Sequence, residues 1–131
     1  MTMKYAVMSA GQSAQQATAQ QGFFQGNLTA TGNSQGTALA LPTDFNVFTT
    51  VAASTGTILP GAVDTAATPG VANATDLIVV VNHGANALLV YPQVGGKVAN
   101  GSLNAGFSVA ASKTAWFLYL GSNLWAASVS A

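Results

Sequence analysis

The chain has 131 residues, half of them hydrophobic, and its 3 basic and 3 acidic residues are all lysine and aspartate. With no cysteine, disulfides and thiolate metal sites are excluded, and zero net charge offers nucleic acid no electrostatic footprint. Only 5% of the chain is charged where about 25% is usual, so no net repulsion holds copies apart and self-association is favoured.

The first segment, residues 1–26, reads as an N-terminal arm. "MTMKYAVMSAG" carries one lysine and an apolar stretch shorter than a signal-peptide core. No run in the chain reaches the ~18 apolar residues of a membrane span. The expectation is therefore a protein outside the membrane that is not exported by this route. Seven of the eight glutamines lie in the first 35 residues. The Gln/Ala tract over 12–21 suits a short helix, but Ala14, Ala17 and Gln21 give it only a thin apolar stripe. Two readings of the arm stay open, a disordered tail and an arm that orders only against a partner. In the second, Tyr5, Phe23 and Phe24 are the candidate contacts, because a free tail gains nothing by exposing adjacent aromatics.

From Asn27 onward the signals are those of strands. Short apolar stretches recur at roughly 8–12 residues with turn residues between them, the spacing of an all-β sandwich or barrel. They are "LTATG", "TALAL", "FNVFTTV", "TILPG", "DLIVVVN", "ALLVYP", "GFSVAA", "TAWFLYLG" and "LWAASV". The expected fold over 27–131 is an antiparallel β-sandwich of jelly-roll type. "GSN" at 121–123 reads as a three-residue hairpin loop and "NHGAN" at 82–86 as a hairpin tip, and 60–75, with two Pro-Gly pairs, reads as a long surface loop. Two strands are apolar on both faces. In 77–81, Leu77, Val79 and Val81 oppose Ile78 and Val80; in 115–120, Trp116, Leu118 and Leu120 oppose Phe117 and Tyr119. A two-layer sandwich needs one apolar face per strand, so the second face calls for a cover, and another copy of the chain supplies one. Trp116, Phe117 and Tyr119 join Tyr5, Phe23 and Phe24 as candidate interface residues.

Catalytic patterns are thin. Gly32-Asn33-Ser34-Gln35-Gly36 matches the nucleophile elbow, but that mechanism needs a strand before the serine and a helix after it, and "TALALPTDF" follows with strand-like alternation. "VGGKVANGS" around Lys97 has Tyr91 where a phosphate loop needs its first glycine. Asp44, Asp64 and Asp76 are scattered and His83 is the single histidine, so no metal-ligand cluster is legible. Asp44 reads as a local cap after Pro42, and His83 as a turn residue. The sequons at Asn27, Asn73 and Asn100 are chance matches in a chain rich in Ser and Thr. The expectation is a protein that is not an enzyme and needs no cofactor or metal.

Three stretches carry a family resemblance: "LPTDFNVFTTVAASTGTILPG", "DLIVVVNHGANALLVYPQVGGKVANGS" and "VAASKTAWFLYLGSNLWAAS". From about Leu41 to Ala127 the chain resembles a β-domain common among structural proteins of tailed bacteriophages, where such a line precedes a Gly/Asn-rich loop and a final strand pair ends in Trp. The resemblance implies a virion component at the capsid surface, a small head decoration (cement) protein. Its partners would be the major capsid protein and further copies of itself, a trimer favoured over a dimer. The alternative it implies is a receptor- or glycan-binding module of a fibre, for which Trp125 beside Asn123 is the nearest candidate site.

Overall fold

A computed structural model describes residues 24–60 and 76–131. The expectations for Tyr5, Phe23, the 12–21 helix and the 61–75 part of the loop lie outside those residues. All regular structure in the described chain is β: β1 (Phe24–Thr29), β2 (Leu39–Ala40), β3 (Phe45–Thr50), β4 (Gly56–Ile58), β5 (Leu77–Asn82), β6 (Leu88–Tyr91), β7 (Lys97–Val98), β8 (Phe107–Val109), β9 (Lys113–Gly121) and β10 (Leu124–Val129). β1 begins at Phe24, so a strand runs through the boundary placed after Gly26.

These strands make two sheets, ordered β1-β3-β5-β9-β10-β7 and β2-β4-β6-β8. Up to β9 the chain alternates between them, so each segment is an arch, a strand in one sheet bent over into a strand in the other. The arches β1–β2, β3–β4 and β5–β6 stack with their strands in parallel, through Phe45 beside Val79 in one sheet and Thr57 beside Val90 in the other. The antiparallel jelly roll is thus replaced by mixed sheets. Of the eight ladders among the described residues, five are parallel and three, β5–β9, β9–β10 and β6–β8, antiparallel.

The "NHGAN" stretch shows why. It is a corner between sheets and not a hairpin tip, because Asn82 takes over the bonds a hairpin ladder would make. Its Oδ1 accepts from Gly84 N at 2.9 Å, and its Nδ2 donates to Asn86 O at 2.8 Å and to Val109 O at 2.9 Å. A buried backbone group must find a partner, and here a fully buried side chain supplies three. Asn46 does similar work where β3 begins, bonding Thr43 O and Val79 O while accepting from the Thr43 hydroxyl. The "GSN" stretch is a hairpin, with a loop of two residues and not the expected three, because Gly121 still pairs with Leu124. Ser122 and Asn123 have φ of 53° and 61°, the pair of left-handed residues that a two-residue loop of type I′ requires. Gly121, at φ 86°, absorbs the register shift beside Trp125 as a bulge.

The core lies between the sheets. Phe48, Ile78, Val80, Ala115, Phe117, Tyr119 and Trp125 from one sheet pack with Leu88, Val90 and Val109 from the other. Alternation along β9 is complete, with Ala115, Phe117 and Tyr119 buried and Trp116, Leu118 and Leu120 exposed.

Candidate interaction face

Period-two geometry sends every second residue of the six-stranded sheet away from the core. Those outward positions are Phe45 and Val47 on β3, Leu77, Val79 and Val81 on β5, Thr114, Trp116, Leu118 and Leu120 on β9, and Leu124, Ala126 and Ser128 on β10. Strand register lines them into rows. Phe24 pairs with Phe45, Phe45 with Val79 and Val79 with Trp116, so one apolar row crosses four strands. Leu77, Leu118 and Ala126 make a second row beside it. The Phe24 and Phe45 rings lie 5.7 Å apart on the same side, which places Phe24 on this face. Phe24 is 66% exposed, Leu77 50% and Trp116 40%, whereas Val79 in the middle of the row is 8% exposed, roofed by its larger neighbours. From β1 to β10 no outward position is charged. Charge lies at the borders of the face: Lys97 on the edge strand β7 opposite Leu124, Asp44 and Asp76 one residue before Phe45 and Leu77, and Lys113 at the start of β9.

The other sheet presents a smaller and better covered outer side. Its strands β2 and β8 are two and three residues long. Tyr91 is buried there, its hydroxyl on Asn33 O at 3.4 Å and its ring against Gly56 and Gly106. The 31–38 segment is held to the same side by Gln35, whose Nε2 donates to Pro92 O at 2.7 Å and Asn104 Oδ1 at 3.2 Å.

The sequence candidates fall on both sides of the sheet. Phe24 and Trp116 are on the outer face. Phe117 and Tyr119 are not on the surface, being 0% and 4% exposed in the core; alternation turns Trp116 and its even-numbered neighbours outward on β9. Trp125 is also in the core, its ring centroid 4.9 Å from that of Tyr119 at a 46° tilt and its indole N–H on Gln93 Oε1. The Trp125–Asn123 pair therefore offers no exposed ring for a sugar to stack on. Phe45, Leu77, Leu118 and Leu124 belong to the face and were not singled out as interface candidates. The signal was the apolar residue at every second position, but a strand apolar on both sides does not announce which side turns inward.

Ser34 sits in an exposed turn, its hydroxyl 2.9 Å from that of Thr37 and its carbonyl accepting from Thr37 N and Ala38 N. His83 is exposed at the β5–β6 corner, its backbone N–H on Phe48 O at 2.8 Å. Among the described residues the side-chain bonds at the Asp44 turn come from Thr43 and Asn46. The Asp44 carboxyl is held above its ordinary range by burial and then by the Asp76 carboxylate. Among the described residues no three potential metal ligands come together.

No family model, no curated protein and no solved structure matches the chain.

Proposed function

We propose that the chain is a structural protein of a tailed-phage virion, a decoration (cement) protein that binds the outside of the assembled head as a homo-oligomer. The observation that carries this reading is the outer face of the six-stranded sheet, a broad apolar and uncharged surface of Phe24, Phe45, Leu77, Trp116, Leu118 and Leu120. Exposed apolar patches larger than a few hundred Å² mark interaction sites on soluble proteins. A chain with so little charge is suited to burial in an assembly and poorly suited to steering a charged substrate.

The mechanism is thermodynamic. A protein that binds the assembled lattice and not the free capsid subunit stabilises the lattice by mass action. An oligomer that spans several capsid subunits adds effective concentration to each contact. No cofactor enters.

The test is co-sedimentation with heads assembled from the cognate major capsid protein. The chain is expected to pellet with heads, to remain in solution with unassembled capsid protein, and to raise the temperature at which heads disassemble. A chain that stays in the supernatant at micromolar concentration removes the proposal.

A further inference from the structure

We infer that the outward face of the six-stranded sheet is where copies of this chain meet, the row Phe24–Phe45–Val79–Trp116 of one copy packing on the same face of another. The inference rests on the homo-oligomer in the reading above and assigns it a surface.

Charge is the first support. Interfaces between identical subunits bring a surface onto its own copies, so any charge near the axis meets its like. From β1 to β10 its outward strand positions carry none; Lys97 lies at its far edge and Asp44 and Asp76 at its strand ends, away from the middle of the Phe24–Phe45–Val79–Trp116 row. Interfaces between identical subunits are also more apolar than those between occasional partners, with charged residues depleted and aromatics enriched at the centre. Two phenylalanines, a tryptophan and several leucines over five strands have that composition.

Size is the second. The five strands β1, β3, β5, β9 and β10, ~4.8 Å apart and some six residues long at ~3.3 Å per residue, make a face of roughly 500 Å² in plan. Two such faces bury about 1,000 Å², which is where specific interfaces begin. The other sheet has no comparable surface, since β2 and β8 are short and Tyr91 is already covered.

The experiment is light scattering after size exclusion on the full chain at micromolar concentration. Trp116→Lys and Leu118→Lys each place a charge in the middle of the face; Val94→Lys, on an exposed loop residue away from it, is the control. The wild type and the control are expected at a multiple of 13.1 kDa, and the face variants at the mass of one chain with an unchanged circular dichroism spectrum. Should either face variant lose that spectrum, Leu120→Lys at the more open end of β9 replaces it. A wild type that runs as a single chain hands the face to another occupant and overturns the inference, as do face variants that keep the oligomeric mass. Head binding is scored separately. A chain that oligomerises through this face but ignores heads sinks the virion reading alone, and a monomer that binds heads sinks this inference alone.

Discussion

The indole Nε1 of Trp125 donates to Oε1 of Gln93 at 2.9 Å, 32 positions apart in the chain and out of contact with water. Gln93 passes the link on, its Nε2 donating to Asn123 Oδ1 at 3.1 Å, while Asn123 N donates to the Tyr119 hydroxyl at 3.0 Å. One side chain from the β6–β7 connection thus locks both the largest core residue and the β9–β10 hairpin. Gln93→Leu keeps most of the volume and orphans the indole N–H. It is expected to cost ~1–3 kcal/mol, measured by urea unfolding followed on tryptophan fluorescence. A midpoint equal to wild type would show that water satisfies the indole and that the link is dispensable.

The β5–β6 corner is held by close approach as well as by Asn82. A Cβ on Gly84 would lie 2.6 Å from Val51 Cβ and 2.8 Å from its backbone nitrogen. Gly84→Ala is expected to destabilise by ~1–3 kcal/mol, the usual cost of overpacking. Gly36→Ala, with nothing within 4 Å of the new methyl, is expected to be neutral or slightly stabilising through the unfolded chain. Equal thermal midpoints for the two variants would contradict the arch geometry.

Phe117 and Trp116 are neighbours on β9 with opposite fates. Phe117→Ala empties a fully buried site whose ring meets Phe107 edge-on at 5.7 Å, and is expected to cost ~3–5 kcal/mol. Trp116→Ala removes an outward ring and is expected to cost the isolated chain less than half as much. Chemical denaturation of both at a concentration too low for association makes the comparison. The reverse order would mean that the strand is turned over.

Asp44 sets a pH dependence whose sign follows from the raised carboxyl. Its folded value lies above the ordinary 3.8, so the folded chain holds this proton more tightly than the unfolded chain does. The contribution to stability is fully present below 3.8 and is lost as pH rises through the folded value. Acidification from neutral toward that window is therefore expected to raise the stability of the wild type relative to Asp44→Asn, modestly, because an exposed carboxylate is well screened. Melting curves of the two proteins from pH 7 to pH 4.5 test it. A gap between them that does not change with pH leaves Asp44 out of the account.

Much of the architecture was legible in the residues because it is local. Alternation in "TAWFLYLG" places Phe117 and Tyr119 on one side and Trp116, Leu118 and Leu120 on the other whatever the strand pairs with. "GSN" signals a tight turn because Gly121 and Asn123 are residue types that tolerate positive φ, while Ser122 between them is held at 53° by the loop they define. The two-residue strand β7 went unseen, since Lys97 and Val98 show no period of their own and are a strand only because β10 lies beside them.

Composition by itself determined that this chain is sparsely charged with zero net charge, and the spacing of its apolar stretches that it is β-rich. Pairing was decided only in three dimensions. A five-residue stretch such as "NHGAN" suits a hairpin tip and a corner between sheets equally well, and the choice turned on whether Asn82 could reach Val109 O, 27 positions away. The same applies to the two apolar sides of β5 and β9. Each side has residues fit for a core, and Phe117 rather than Trp116 became the buried one because Leu88, Val90 and Val109 of the second sheet are brought over that side. Period two tells a strand it has two faces; only the sheet packed against it decides which one is left outward.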